Sequence, residues 1–238
     1  AVVPTFDNPT TVGAVVAAIR VHVPEVIVVD DGSGPVARAV LDALAAEGTA
    51  RVVRRASRGG KGAAVKDGLR AAQALGCTHA VQLDADGQHD ADDIPRFLAV
   101  ARRAPEALVL GRPVFDEAAP RVRLAGRRFN MLWTNLELGP GVVLDSLCGF
   151  RVYPVAATLA AGARGDAMDF DPEIPVRMAR VGVPIVNVPT RVRYFAPRDG
   201  HVSHFRMVRD NALIVRMHTG IILGMIARAL RPPPSARP

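Results

Sequence analysis

The feature that most constrains this chain is an alternation of short apolar runs with helix-patterned segments, in which several runs end in carboxylates. Val2-Val3, Val26–Val29, Arg51–Val53, the run leading into Asp84 and Ala107–Leu110 read as strands. Between them, Val12, Val15, Val16 and Ile19 recur at helical spacing behind a capping Thr10 or Thr11. A second helix extends to Glu47, and Val65, Leu69 and Ala72 mark a third, opened by Gly59-Gly60-Lys61-Gly62. Ile94, Phe97, Leu98 and Ala101 mark a fourth. Strands and helices alternating at this spacing predict right-handed βαβ units, hence an α/β fold with a mostly parallel central sheet flanked by helices. Ligands of such sheets bind beyond the carboxyl ends of the strands. Four expected strand ends carry polar groups: Thr5-Phe6-Asp7, Asp30-Asp31, Asp84-Ala85-Asp86 and Gly111-Arg112.

The stretch Val81-Gln82-Leu83-Asp84-Ala85-Asp86-Gly87-Gln88-His89 concentrates this chemistry. Side chains two apart on an extended chain share a side, so Asp84 and Asp86 present their oxygens together. Such a pair suits a hard divalent cation, Mg²⁺ or Mn²⁺, which would in turn hold a diphosphate; a polar loop after a strand would use the same residue types. Gly59-Gly60-Lys61-Gly62 has the look of a phosphate loop. Ala63 stands where a nucleoside-triphosphatase loop needs a hydroxyl for Mg²⁺, so that class is excluded. A glycine-rich helix start with a lysine can still face a nucleotide or its diphosphate, or simply leave Lys61 solvated. The glycine fingerprint of a dinucleotide-binding domain is absent after the first strand.

The second half is less regular. Arg121–Leu138 reads as a helix, Asp145–Arg151 as a loop or strand, Pro172–Arg180 as a helix and Ile185–Tyr194 as a strand. The formal net charge of +7 has its whole excess in residues 191–238, where nine arginines face only Asp199 and Asp210. A basic end of this kind calls for an anionic surface, a membrane leaflet or nucleic acid. Two tyrosines and one tryptophan offer few platforms for base stacking, so no nucleic-acid partner is expected. On the last helix, Phe205–Leu230, Arg206, Arg209, Arg216 and Arg228 share one arc, with Ile214, Ile221, Ile222, Met225 and Ile226 elsewhere. The arginines interrupt it too often for a spanning helix. It fits either a helix lying in a membrane interface or one packed on its own domain with a wet basic face. His218, on its apolar side, reads as a packed residue. Cys77 and Cys148 show no metal or disulfide spacing, and no signal-peptide pattern is visible at the start, so a cytoplasmic location is expected, either free or peripheral on the membrane face.

Taken in order, Pro4-Thr5-Phe6-Asp7, Val28-Val29-Asp30-Asp31-Gly32-Ser33, Gly60-Lys61-Gly62-Ala63-Ala64 and Leu83–His89 resemble the family 2 glycosyltransferases. Asp145…Cys148-Gly149-Phe150-Arg151 and Val188-Pro189-Thr190…Arg198-Asp199-Gly200…Ser203 are similar to the dolichol-phosphate (polyprenyl-phosphate) mannose and glucose synthase branch. Asn8, Arg58 and His204 depart from the residues usual there. The resemblance implies a GT-A domain over residues 1–204, followed by a basic amphipathic helix, 205–230, and a disordered tail, 231–238. It implies an inverting, metal-dependent transferase using a nucleoside-diphosphate sugar of the GDP-mannose or UDP-glucose type. Asp30 and Asp31, with Thr5 and Asp7 beside them, would contact base and ribose, and Asp84 would lie near ribose and metal. Asp86 and Gln88 would be metal ligands. Lys61 and Arg112 would face the donor diphosphate, while Arg127 or Arg128 and Arg198 would hold the phosphate of a lipid-linked acceptor. Guanidinium groups suit that task because they pair bidentately with phosphate oxygens.

Mechanism turns on the acceptor. A phosphate is already anionic and needs no base. A soluble hydroxyl acceptor would need one, and Asp169-Phe170-Asp171-Pro172-Glu173 offers Asp171 first and Asp169 second. The same cluster also reads as the acidic N-terminus of a helix, and the chain as a non-catalytic nucleotide-sugar-binding homologue.

Overall fold

The computed structural model describes residues 1–115, 121–193 and 206–230. One sheet of seven strands organises them: β1 (Val2–Thr5), β2 (Ile27–Asp30), β3 (Arg51–Arg54), β4 (His79–Gln82), β5 (Leu108–Phe115), β6 (Arg151–Pro154) and β7 (Ile185–Val192). Their spatial order is β3-β2-β1-β4-β6-β5-β7. β1 pairs in parallel with β2 and β4, β2 with β3, and β5 with β7. β6 alone among the described strands runs antiparallel, wedged between β4 and β5.

Each strand of the centre alternates its side chains between two apolar layers, as the period of two demands. Val3, Val28, Val81, Val109 and Val152 face one layer, with α1 (Val12–Arg20), α2 (Pro35–Ala46) and α4 (Ile94–Arg103). Val2, Ile27, Val29, Ala80, Leu108, Leu110 and Tyr153 face the other, with α3 (Lys61–Ala74), α6 (Val155–Ala160) and α7 (Phe170–Arg180). A sheet covered on both faces needs continuous apolar strands, which is why Val26–Val29 carries no polar residue. The helix over α1 buries Val12, Val16 and Ile19, as its spacing requires. Two further helices complete the described chain, α5 (Arg121–Leu138) and α8 (Met207–Ala229).

Two expectations change. β5 does not end at Leu110 but continues to Phe115, pairing with β7 along its whole length. Gly111-Arg112 is therefore mid-strand rather than a strand exit, and Arg112 is exposed there. The segment around Arg151, read as loop or strand, is the antiparallel strand β6. The composition of β6 hides this, because Arg151 and Pro154 do not look like a central strand. Arg198, Ser203, His204 and the 231–238 tail lie outside the described residues.

Close approach of α3 to the sheet depends on Gly68. A Cβ there would collide with a methyl of Val2 and reach within 3.0 Å of Val29 Cγ2. Gly68→Ala should lower stability by about 1–3 kcal/mol through overpacking, seen as a lower urea midpoint with an unchanged slope.

Candidate active site

At the carboxyl ends of β1 and β2, the loops are tied to one another by their own carboxylates. Asp7 sits in the left-handed region at φ 49°; its Oδ1 accepts from Gly34 N at 2.7 Å and its own N–H donates to Ser33 Oγ. Asp30 Oδ1 accepts from Ser33 N at 2.8 Å. Both oxygens of Asp31 accept backbone N–H groups, from Gly59 at 2.8 Å and Gly60 at 2.7 Å, and Arg55 Nε lies 3.0 Å away. Asp30 and Asp31 are buried. Thr5 is buried as well, its hydroxyl 3.4 Å from Asn8 Oδ1. The Arg58 guanidinium covers the ring of Phe6 at 3.8 Å, making a flat cationic lid beside this cluster.

The Gly59-Gly60 turn held by Asp31 launches α3, and Gly60 must be glycine: φ is 108° and a Cβ would strike the backbone of Asp166 and Ala167. Lys61, the first residue of α3, points inward rather than to solvent. Its Nζ donates to Asp84 Oδ2 and to Asp171 Oδ2, each at 2.8 Å. Burial alone would push the ammonium down, but the charges of Asp171 and Asp84 and their hydrogen bonds raise its pKa instead. Asp84 lies just past β4, seated against Gly149, where a Cβ would overlap its carboxylate. Gln82 Nε2 approaches Asp84 Oδ1 at 3.3 Å, and Tyr153 donates to Gln82 Oε1 at 2.9 Å. Burial works against the charged form of Asp84; the charges of Lys61 and His89 overcome it and hold the carboxyl below its ordinary value. Asp86 is shifted upward, by burial first and by the negative charge of Asp84 second. Burial lowers His89, whose Nε2 is 3.9 Å from Asp84 and whose buried Nδ1 meets no hydrogen-bond partner.

Asp171 is almost fully buried at the start of α7. Its Oδ1 lies 3.8 Å from Arg151 Nη2 without a hydrogen bond. Arg151 is completely buried and donates to the carbonyls of Cys148 at 2.7 Å and Ser146 at 2.8 Å. Arg151 was not among the residues expected to act here. The signals for it in sequence are its place at the end of the Cys148-Gly149-Phe150-Arg151 motif and a charge opening an otherwise apolar run. Asp169 is half-exposed, accepts from Ala167 N at 3.0 Å, and is shifted upward by burial. Arg127 donates through Nη1 to both oxygens of Asp145, at 2.7 and 2.6 Å, while Arg128 is exposed.

The structure therefore brings together Lys61, Asp84 and Asp171, with Asp86 adjoining. Thr5, Asp7, Asp30 and Asp31 form a neighbouring cluster; Arg112 lies on β5 and Arg127 and Arg128 on α5, with the charge of Arg127 acting on His89. The upward shift of Asp86, caused by burial and by the neighbouring charge of Asp84, fits a carboxylate pair that takes a cation. No cage of three or more His, Cys, Asp or Glu side chains stands assembled among the described residues. Mg²⁺ and Mn²⁺ bind through one or two carboxylates and complete their shells with substrate phosphate and water, and Asp84 and Asp86 could supply those carboxylates.

The Glycosyl transferase family 2 model matches residues 1–153. An undecaprenyl-phosphate mannosyltransferase of Micrococcus luteus is 31% identical over 200 residues, 79% of this chain and 80% of that protein. A polyprenol monophosphomannose synthase of Mycolicibacterium smegmatis is 28% identical over 64% of this chain and 60% of its own length. Among solved structures, glucosyl-3-phosphoglycerate synthase from Mycobacterium tuberculosis in complex with UDP superposes with a TM-score of 0.71 at 20% identity, covering 92% of this chain and 78% of that one. The same enzyme in complex with Mn²⁺ and UDP-glucose gives 0.68 at 21% identity, covering 98% and 79%. These neighbours establish the GT-A-like fold.

Lys61→Met should cost about 3–5 kcal/mol at neutral pH, because it strands buried Asp171 and part-buried Asp84. The sign with pH is fixed by Asp84: its depressed pKa contributes stability that is full above the ordinary carboxylate value and is lost as pH falls below that value through the depressed one. The gap between variant and wild type should therefore narrow on acidification, measured by urea denaturation at several pH values.

Proposed function

The chain belongs to glycosyl transferase family 2, and on that premise we propose that it moves a hexose from a nucleoside-diphosphate sugar to a polyprenyl-phosphate acceptor at a lipid surface. The supporting observation is the Lys61-bridged carboxylate cluster at the strand ends, with Asp84 and Asp86 side by side. Asp86 and Gln88 would hold the divalent cation, with Asp84 adjoining. That ion would neutralise the donor diphosphate and so improve it as a leaving group. Asp30, Asp31, Thr5 and Asp7 shape the pocket for base and ribose, where Arg58 over Phe6 supplies a cationic plane. Lys61 keeps Asp84 ionised and in place. Arg112 faces the donor diphosphate; Arg128, with Arg198 and Arg127, offers guanidinium groups to the acceptor phosphate. An acceptor phosphate oxygen attacks the anomeric carbon from the face opposite the diphosphate; the C–O bond to the diphosphate breaks and the nucleoside diphosphate leaves. The configuration inverts.

This acceptor requires no general base, and Asp171 is poorly placed to be one. It is buried, and Lys61 already donates to its Oδ2. The reading with a soluble hydroxyl acceptor and Asp171 or Asp169 as base is thereby the weaker. Transfer is expected from GDP-mannose or UDP-glucose to a polyprenyl phosphate in detergent or vesicles with Mn²⁺. Asp86→Ala should reduce it by more than about 100-fold, and should abolish any Mn²⁺-dependent rise in melting temperature with UDP or GDP. No rise with any nucleotide would remove the donor site from this pocket.

A lipid-borne acceptor also accounts for α5 and α8. The side chains of Phe129, Leu132 and Leu136 on α5 are exposed at 47%, 63% and 70%, while Asn130, Thr134 and Glu137 on its other face are buried. That is the reverse of a helix facing water. On α8 the buried residues are Asp210, Ile214 and His218, all in its first half. From Thr219 to Leu230 no side chain is buried, although Leu223, Ile226 and Leu230 are apolar. The sequence reading set α8 aside as a spanning helix, yet by length and composition it is long and apolar enough to cross a membrane. Its exposed Arg209, Arg216 and Arg228 suit an anionic leaflet on the cytoplasmic side. Binding to vesicles containing anionic lipid should weaken by about 1 kcal/mol for each of these arginines replaced by Gln, measured by co-sedimentation.

A further inference from the structure

A buried polar chain connects the C-terminal helix to the active-site loop, and the transfer reaction as read above gives it no task. His218 of α8 is wholly buried, its ring stacked on Trp133 with centroids 5.9 Å apart and planes 12° apart. Its Nδ1 lies 3.0 and 2.9 Å from the two oxygens of Glu137, and its Nε2 lies 3.1 Å from Asn130 Oδ1. Asn130 and Glu137 both belong to α5, seven residues apart and so on one face. Asn130 Nδ2 then donates to Ser146 Oγ at 2.5 Å, and Thr134 Oγ1 is 3.3 Å from the same hydroxyl. The carbonyl of Ser146 accepts from Arg151, which lies beside Asp171. Three residues beyond Ser146 is Gly149, against which Asp84 is seated.

Burying this many polar groups is tolerable only when every one is paired, and a paired network of this sort specifies one geometry. An apolar residue at 218 would anchor α8 as firmly by area alone. What it would not do is fix the side chain of Asn130, and through it Ser146. The loop 142–149 is held from its far side by Asn187, which accepts from Leu144 N at 2.9 Å and donates to the Val142 carbonyl at 3.0 Å. On the α5 side two residues hold it, Arg127 at Asp145 and Asn130 at Ser146, and only the second is tied to α8.

We propose that His218 is a positioning residue for transfer: held by Glu137 at one ring nitrogen, it sets through Asn130 and Ser146 the loop that backs Asp84, so that the C-terminal helix is part of the active site's support. The proposal rests on the transferase reading. His218→Phe keeps an aromatic ring on Trp133 and removes both ring nitrogens. Ser146→Ala cuts the chain one link nearer the site and leaves the α5–α8 contact intact. Ile214→Ala removes apolar packing from the same face of α8 and serves as the control for stability alone.

In hydrogen exchange on the full chain, His218→Phe and Ser146→Ala should each speed exchange of the 144–149 amides about tenfold or more, with α1 and α2 unchanged. Each should also lower kcat about tenfold at temperatures well below melting, without altering KM for the sugar nucleotide. The double variant should be no slower than the worse single one, because both cut one chain. Ile214→Ala should lower the melting temperature while leaving kcat and loop exchange at wild-type values. Unchanged loop exchange in His218→Phe, or losses of kcat that multiply in the double variant, would overturn the proposal. If wild type transfers sugar to no polyprenyl phosphate, the acceptor reading falls, while the exchange result still decides whether His218 holds the loop.

Discussion

The ammonium of Lys61 is the interaction on which the rest of the site depends. It joins the first turn of α3 to Asp84, 23 residues away, and to Asp171, 110 residues away, at the start of α7. Three elements with no local reason to meet are thereby held at one point. Two carboxylates this close would otherwise repel. With Lys61 between them, Asp84 is held ionised, and Arg151 stands behind Asp171. The arrangement explains why the glycine-rich turn ends in a lysine and no hydroxyl residue follows. Lys61 is an internal counterion, whereas the lysine of a triphosphatase loop faces its ligand.

The same economy governs the neighbouring cluster. Asp7, Asp30 and Asp31 use their oxygens to fold their own loops and to hold Gly59 and Gly60. Acidic residues at successive strand ends thus form one connected scaffold, in which Asp31 sets the turn that aims Lys61 and Lys61 sets Asp84. Rigid support of this kind is what a transferase needs, since most of its rate comes from fixing the donor and stabilising charge on the leaving diphosphate.

On α5 apolar Phe129, Leu132 and Leu136 face outward and polar Asn130, Thr134 and Glu137 inward, and α8 exposes Leu223, Ile226 and Leu230 beside its arginines. A helix pair of that polarity is at odds with water and at ease beside lipid, where a lipid-borne acceptor would arrive. The polar seam between the two helices runs toward the loop that backs Asp84, so the acceptor side and the donor side of the pocket share a support.

The alternation of strands and helices, the parallel half of the sheet and the pairing of Asp84 with Asp86 were legible in the sequence. They depend on local periodicity: two for a strand, 3.6 for a helix, and an apolar run wherever both faces are covered. The order of motifs carried the family as well. What residue order could not express was direction and distance. β6 is antiparallel because Gln82 and Arg151 become neighbours in register, a pairing between residues far apart in the chain. Arg112 looked like a strand end because nothing local shows that β7 extends β5 to Phe115. The position of Asp171 at a helix start is visible in the sequence, while its hydrogen bond from Lys61, 110 residues away, is not. His218 read correctly as a packed residue, but its partners Glu137 and Asn130 lie 81 and 88 residues away. Local chemistry named the residues that could act, and only tertiary contact, which residue order does not express, decided which of them meet: Lys61 with Asp84 and Asp171, and Asp31 with Gly59 and Gly60.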